Sequence, residues 1–418
     1  MYFMKKVFFA GTILLLTITA FFVVLPMFRS LAIKKKQLNG SESAINETKD
    51  GFMYQKRNNN KNQVQTSAIL VRKKQSILCK KNNDHKLVLI YTPWFGRTPW
   101  PDMKDTHDFT YYKGKPCKVT NCRLTYDKND LAKSDAVIFH GRDMVTLSTL
   151  EEISRNRNQC QRWIFLSREN PYYIWLGTGL YDNVFNWTMT YRRDSDIYSP
   201  HGSYSLLDST RKAGKENLKN YAQGKDKFVA WIVDRCGKPR DYIAMKLQKY
   251  IDITVFGDCA QIIGKENAGC KGSECEKLLK RFKFYLSFES ANCIDYVSGK
   301  YWDIPFHHDM VPIVLGPLKY DSKIAIPGSY INVMDFPSLK DLASYLKYLD
   351  KNDTAYNEYF QWKRKYKIDY PNPWNCQMCA DLNNPNLPVK VYEDFDSFWG
   401  IKSSCGQYED RIREFLER

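Results

Sequence analysis

The hydrophobic pattern divides the chain into three regimes. Val7 to Leu25 is an uncharged, largely apolar run of 19 residues that continues through Pro26-Met27-Phe28 before Arg29. That is long enough to cross a bilayer as a helix. Residues 29–85 are rich in Lys, Asn, Gln and Ser with only scattered apolar positions, a composition that cannot bury enough surface to offset the entropy of ordering. From Leu87 onward, short β-branched and aromatic runs alternate with polar or amphipathic stretches. The runs Leu87–Tyr91, Ala136–His140, Trp163–Ser167, Phe228–Val233 and Ile253–Phe256 predict strands, and Glu151–Arg162 predicts a polar helix between two of them. Gln223 to Lys227 is a polar connector. Pro239 is placed as a first-turn proline, with Ile243, Leu247 and Tyr250 at helical spacing. Ser338-x-x-Asp341 has the form of a capping box, and Leu339, Leu342, Leu346 and Leu349 trace one helix face. Such alternation predicts two α/β domains with a cleft between them.

The stretch from Phe284 to Pro317 carries the most chemistry. An apolar run, Phe284–Phe288, and a second, Val311–Leu315, closed by Gly316-Pro317, flank an acidic turn and an amphipathic segment. Strand, loop, helix, strand is the unit in which parallel sheets place a ligand at the carboxyl ends of their strands. The loop holds Glu289, Asp295, Tyr296 and Lys300, so carboxylates, a phenol and a cation gather where a phosphorylated ligand would sit.

Charge and cysteine content narrow the setting. The net charge is +17, from 63 basic and 46 acidic residues, but residues 1–86 hold 16 basic and 4 acidic residues, leaving 47 minus 42, or +5, for the remainder. The basic surplus therefore sits in the unfolded-looking segment, which argues against a nucleic-acid partner. Twelve cysteines, an even count, and four Asn-x-Ser/Thr sequons at Asn39, Asn46, Asn186 and Asn352 fit an oxidising secretory compartment. Cys376-x-x-Cys379 lacks a partner pair at zinc-ribbon spacing, so a structural disulfide is expected there rather than a metal. Ser30-Leu31-Ala32 offers a rival signal-peptide reading, but the apolar core exceeds a usual h-region and favours an anchor. Lys5 and Lys6 precede the span, while Arg29 and Lys34 to Lys36 follow it. The positive-inside count alone would thus place the bulk of the chain in the cytoplasm, and the lumenal reading comes from the cysteines and sequons.

The motif resembles the donor-binding motif of the α1,3-fucosyltransferases, glycosyltransferase family 10, in a divergent form. Phe288-Glu289, Asp295-Tyr296, Lys300 and Val311-Pro312-Ile313-Val314-Leu315-Gly316-Pro317 follow the family's FENS, DYxTEK and VPVVxGP, whereas Ser290, Ala291, Ser298 and Gly299 depart from it. Further stretches resembling the family run in its order: Asp135 to His140 with Arg142, Ser167 to Pro171, Asn186 to Asp196, Val229-Ala230-Trp231 leading to Arg240, and Tyr356 to Lys363. The resemblance implies a GT-B-like α/β fold, two Rossmann-like domains facing a cleft, preceded by an N-terminal transmembrane anchor and stem. The expected parts are a cytoplasmic tail (1–6), a transmembrane signal-anchor (7–28), a stem (29–85), an acceptor-side domain (86–222), a domain binding GDP-fucose (223–370) and a cysteine-containing tail packing on both (371–418).

It also implies roles. Glu169 would be the catalytic base; Arg240, Glu289, Asp295, Tyr296 and Lys300 would bind the donor; His140, Arg142 and Arg192 would lie on the acceptor side. A carboxylate just past a strand can take the proton of an attacking hydroxyl, and a guanidinium and an ammonium suit a departing diphosphate. Gly299 replaces a glutamate that contacts the donor in the family. Arg235, in an Asp234-Arg235 pair that replaces Ser-Asn, is placed to supply part of what the substituted pair lost. The implied reaction moves L-fucose from GDP-fucose to a glycan hydroxyl, O3 of N-acetylglucosamine, on glycoproteins or glycolipids, with inversion. It needs no metal, though a divalent ion could stimulate it, and the implied location is the Golgi membrane, single-pass type II. Two alternatives stay open. Asp194-Ser195-Asp196 has the DxD form of metal-dependent glycosyltransferases, and the altered donor motif would also suit a lapsed enzyme that binds glycans. His201 and His307-His308 lack metal-ligand partners at useful spacing and read as ordinary loop and helix residues.

Overall fold

Two parallel sheets account for most of the strands, as the alternating pattern requires. The computed structural model describes residues 85–417 apart from 104–108, 110, 113–114, 175–176, 208–218, 270–271, 318 and 370–373. The expected anchor and stem, with Asn39 and Asn46, lie outside the described residues. In chain order the strands are β1 Lys86–Ile90, β2 Tyr111–Tyr112, β3 Lys115–Pro116, β4 Cys122–Thr125, β5 Ala136–His140, β6 Arg162–Ser167, β7 Trp187–Thr190, β8 Ile197–Tyr198 and β9 Ser203–Leu206. They continue with β10 Lys227–Ile232, β11 Ile253–Phe256, β12 Phe282–Phe288, β13 Val311–Leu315, β14 Ile331–Asn332 and β15 Tyr366–Asp369. The first sheet has the order β4-β1-β5-β6-β7-β8 and the second β11-β10-β12-β13-β14, and every neighbouring pair in both is parallel. β2 pairs with β3, and β9 with β15, as antiparallel ribbons.

The near-continuous apolar runs of β5, β12 and β13 are buried at every residue, as expected of parallel strands covered on both faces. β12 begins earlier than its apolar run suggests. Lys283 interrupts the run in sequence, yet its ammonium pairs with Asp350 at 3.1 Å, which lets a charged residue occupy a buried strand. The helix expected over Glu151–Arg162 is displaced: it spans Leu147–Arg155, starting where the Thr146 side chain accepts from the amide of Thr149. Arg162 is taken instead by β6, which pairs with Ala136 of β5. The helix Pro239–Leu247 buries Ile243 and Leu247, whereas Tyr250 lies beyond its end and is 42% exposed. The helix Leu339–Lys351 is capped by Ser338 and buries Leu339, Leu342, Leu346 and Leu349, as its periodicity predicts.

The C-terminal segments tie this architecture together. The helix Trp374–Leu382 is fastened to the first-sheet region by Cys117–Cys376 and Cys122–Cys379, so the two cysteines of the CxxC pair outward rather than with each other. Phe395 and Trp399 enter the aromatic core beneath the first sheet, and Ile412 and Phe415 enter the core of the second. That first-sheet core also holds Ala291, Cys293 and Tyr296 from the loop after β12, and Cys293–Cys405 bonds this loop to the tail. The motif loop is thereby packed between elements from both ends of the chain.

Candidate functional site

Strand order places a crevice in each sheet. In the second, β10 has β11 on one side and β12 on the other, and the carboxyl ends of strands at such a reversal are where open parallel sheets take ligands. A cavity of about 360 Å³ lies there, lined by Ile232 at the end of β10, Val233, Asp234 and Arg235 after it, Arg240, Ser290, Tyr296, Ser298, Gly299 and Lys300, and, from the first half, Glu169, Tyr173 and His201. Three cations against two carboxylates give its wall a positive surplus suited to an anionic ligand.

Each cation is held differently. Arg240 is 3% exposed; its Nη1 donates to the Phe288 carbonyl at 2.9 Å and its Nη2 to the Arg235 carbonyl at 3.0 Å. It braces the end of β12 against the loop after β10, and its Nε has no hydrogen-bond partner. Lys300, in the helical turn Gly299–Trp302 capped by Ser298, reaches Ser298 Oγ at 3.1 Å and Glu289 Oε2 at 3.3 Å. Arg235 is the exposed one: its Nη1 is 3.8 Å from Glu169 Oε2, and its guanidinium stands 4.7 Å over the Tyr173 ring. Its neighbour Cys236 is bonded to Cys259, which pins the loop.

The uncharged groups are equally constrained. Burial raises the Tyr173 hydroxyl, but hydrogen bonds from Arg235 and Ser290 outweigh it and leave its pKa below the ordinary value. Burial pushes Tyr296 well above the usual phenol range. His201 is pushed down to about 3 by burial and by the charges of Arg168 and Lys300. It stays neutral, and because its Nε2 faces the Arg168 carbonyl at 2.8 Å, that nitrogen donates and Nδ1 is left as the acceptor.

Of the expected donor residues, Arg240, Tyr296 and Lys300 line the cavity, and Glu169 faces them. Glu289 and Asp295 do not. Glu289 is 1% exposed and accepts from the Ser298 amide and hydroxyl, both at 2.7 Å, so it positions Lys300 from behind. Asp295 adopts a left-handed backbone (φ 56) and binds the Arg193 amide at 3.0 Å and Nε at 3.1 Å; it fixes the loop.

The acceptor-side expectations divide. Crevice geometry recurs in the first sheet, between β1 and β5. There His140 is buried against Asp143, Nδ1 to Oδ2 2.6 Å, and stacked on Trp94 at 4.2 Å between ring centroids. Asp143 in turn accepts from the amides of Phe95 and Gly96, each at 2.9 Å. Arg142 stands 5.1 Å over the ring of Tyr173, a cavity residue, but does not itself line the cavity. Arg192 does not belong with them. It is 7% exposed and donates to Asp194 at 2.9 Å, to Ser404 Oγ at 3.1 Å and to the Phe398 carbonyl, fastening the C-terminal tail.

The Asp194-Ser195-Asp196 triplet lies away from the cavity, with both carboxylates engaged. Asp194 pairs with Arg192, while Asp196 takes the Thr188 amide at 2.8 Å, Tyr392 Oη at 2.9 Å and Lys390 Nζ at 2.6 Å. Among the described residues no group of three or more His, Cys, Asp or Glu is arranged to hold a metal ion. Asn186 fails as a glycan acceptor because it is 7% exposed and its amide nitrogen donates to the Lys390 carbonyl at 2.8 Å. Asn352 caps the helix Asp353–Glu358 at an intermediate exposure.

Tyr173, Asp234, Ser290 and His201 were not anticipated. Asp234 directly follows the predicted strand Phe228–Val233, where the carboxyl-end rule could have found it; His201 carries no local signal. Gly299 lines the cavity, and a Cβ on it would stand 2.3 Å from Asp303 Oδ2. The Asp303 carboxylate occupies space that a side chain at 299 would need.

Residues 83–202 match the family model described as "Fucosyltransferase, N-terminal" and residues 222–399 that described as "Glycosyltransferase family 10 (fucosyltransferase) C-term". Glycoprotein 3-alpha-L-fucosyltransferase A of Drosophila melanogaster is 32% identical over 335 residues, 78% of this chain, and the chain spans 62% of that relative's length. Alpha-(1,3)-fucosyltransferase fut-5 of Caenorhabditis elegans is 32% identical over 304 residues, covering 69% of this chain and 78% of the relative. A crystal structure of an α1,3-fucosyltransferase aligns over 82% of this chain and 93% of its own at 15% identity, with a TM-score of 0.43, too loose for residue-level argument. On the two family matches and the sequence identity, the chain belongs to glycosyltransferase family 10, the fucosyltransferases.

Proposed function

We propose that the chain is an inverting α1,3-fucosyltransferase that moves L-fucose from GDP-fucose to a glycan hydroxyl, O3 of N-acetylglucosamine, and that its two sheets form the acceptor-side and donor-side Rossmann-like halves of a GT-B enzyme. The observation that carries the reading is the cavity in which one carboxylate, Glu169, faces Arg235, Arg240 and Lys300. In a single displacement Glu169 accepts the proton of the acceptor hydroxyl, whose oxygen bonds to the anomeric carbon as the bond to the diphosphate breaks. Lys300, Arg235 and the remaining N–H groups of Arg240 stabilise the charge that develops on the departing GDP. Tyr296 and neutral His201 offer a donor and an acceptor that do not compete for that charge.

Engagement of Asp194 by Arg192 and of Asp196 by Thr188, Tyr392 and Lys390 favours a mechanism without a metal over the DxD alternative. Four disulfides among the described residues suit an oxidising lumen, in keeping with a type II Golgi protein anchored through residues 7–28. The test is GDP release from GDP-fucose by the full chain in detergent, with N-acetylglucosamine-containing glycans, in EDTA and again with Mn²⁺. Acceptor-dependent turnover in EDTA is expected. Turnover only with Mn²⁺ would overturn the metal-free mechanism, and glycan binding without turnover under either condition would mark a lapsed enzyme.

A further inference from the structure

We propose that a second cavity, separated from the first by the contact of Gly202 with Trp302, is a carbohydrate subsite that holds a neutral sugar of the acceptor chain outside the reacting unit. The two cavities share one partition: His201 lines the first and Gly202 the second, Lys300 the first and Trp302 the second. Gly202 is required there, because a Cβ would stand 2.4 Å from the Trp302 indole. The second cavity measures about 310 Å³ and is walled by Tyr198, Tyr204, Trp302 and Tyr366, with Ser203 and Ser205 between them.

This lining matches the chemistry of a sugar ring. A pyranose has apolar C–H faces and a hydroxyl-bearing edge, so it gains from aromatic faces together with a few fixed polar groups. The serine hydroxyls donate to Asp369, Ser203 to its carbonyl at 3.1 Å and Ser205 to its carboxylate at 3.2 Å, and Tyr204 Oη donates to the Ser322 carbonyl. With their protons so placed, these oxygens present lone pairs as acceptors for sugar hydroxyls. The floor is preorganised: β9 pairs with β15, which places Tyr204 opposite Ile368 and Tyr366 opposite Leu206, and the Tyr204 and Tyr366 rings meet edge to face at 5.0 Å. Lys323 is the one charged lining residue. A phosphorylated ligand would call for several cations, as in the first cavity, so the occupant is neutral.

That the sugar belongs to an acceptor rests on the proposed transferase reading; that the cavity takes a sugar does not. The experiment compares the full chain with Ser205→Trp, which fills the cavity, and Tyr366→Ala, which removes a platform. Chitotetraose and N-acetylglucosamine binding are followed by saturation-transfer NMR, GDP affinity by calorimetry, and turnover on both saccharides in parallel. The wild type should bind the tetramer more tightly than the monomer, and both variants should lose about tenfold in tetramer affinity while keeping GDP affinity and turnover on the monomer. Equal affinity for tetramer and monomer in the wild type, or tetramer affinity within twofold in a variant that still binds GDP, overturns the subsite. Loss of tetramer binding in the variants with no turnover by any protein leaves the subsite standing and removes the transferase reading instead. If one variant also loses GDP, the other decides.

Discussion

Arg235 Nη1 lies 3.8 Å from Glu169 Oε2 across the cavity that both line. Arg235 is half exposed and Glu169 a quarter exposed, so water screens the pair and it contributes little to stability. Its value is positional: the side chain proposed as base sits beside the most exposed of the three cations. An incoming diphosphate competes with Glu169 for this guanidinium and would release the carboxylate toward the acceptor.

Arg235→Ala should therefore weaken GDP binding about tenfold, the size of one charge-assisted hydrogen-bonded contact, and Arg235→Lys should recover part of it. Calorimetry with GDP measures this directly. An affinity unchanged in Arg235→Ala would remove Arg235 from the donor site.

Glu169→Gln keeps the shape of the side chain and removes its ability to accept a proton. Turnover should fall by about 10² to 10⁴, with GDP affinity changing little. Single-turnover kinetics with bound GDP-fucose separates the two quantities. If turnover survives, another group is the base; if both are lost, the variant has misfolded.

Much of this arrangement is legible in the sequence, for identifiable reasons. β5, β11 and β13 match their predicted ranges because buried parallel strands are apolar runs bounded by polar turns. Glu169 just follows such a run, Trp163–Ser167, whereas Arg240 and Lys300 were singled out by the family resemblance; all three line the cavity. What stayed hidden depends on distant partners. Arg192 and Asp295 look like site residues in sequence, yet their charges are spent on Phe398, Ser404 and Asp194 and on Arg193. His201 joins the cavity only because the segment before β9 lies against Tyr296, 6.0 Å between ring centroids. The outward pairing of Cys376 and Cys379 depends on Cys117 and Cys122, more than 250 residues earlier, a separation no local pattern encodes.

The same long-range ties make the donor loop sensitive to the tail. Cys293–Cys405 closes 112 residues of chain, and the conformational freedom this denies the unfolded ensemble stabilises the fold by about 5 kcal/mol in the chain-entropy view. Cys293→Ser with Cys405→Ser should lower the thermal midpoint by several degrees and loosen the loop that carries Tyr296 and Lys300. The expected sign is a lower midpoint with weaker GDP binding. A double variant that melts with the wild type would show that packing of Trp399 and Tyr296 alone holds the tail.

Gly299 leads to a paired prediction. Gly299→Glu restores the family's residue type and brings its Cβ to within 2.3 Å of Asp303 Oδ2. That oxygen ends an exposed, flexible side chain, so Asp303 should turn aside and stability should stay within about 1 kcal/mol of the wild type, with Asp303→Ser in the same chain changing little further. Chemical denaturation of the two variants checks it, and a larger loss in the single variant that Asp303→Ser relieves would show that Asp303 is held in place.

The last prediction concerns pH. His201 is held down to about 3 in the folded chain, against about 6.5 for an unfolded histidine. Above 6.5 both states leave it neutral and it has no effect on the balance. As pH falls below 6.5 the unfolded chain takes up a proton that the folded chain refuses, so stability drops by about 1.4 kcal/mol per pH unit until the folded value is reached. Between pH 6.5 and 5 the loss from this group should approach 2 kcal/mol, and His201→Gln should abolish that share while leaving the stability at pH 7.5 within about 1 kcal/mol of the wild type. Urea melts at pH 7.5 and 5.0 give both slopes. If His201→Gln loses stability on acidification as steeply as the wild type, the imidazole is protonated in the folded chain and cannot serve as the neutral acceptor assigned to it in the cavity.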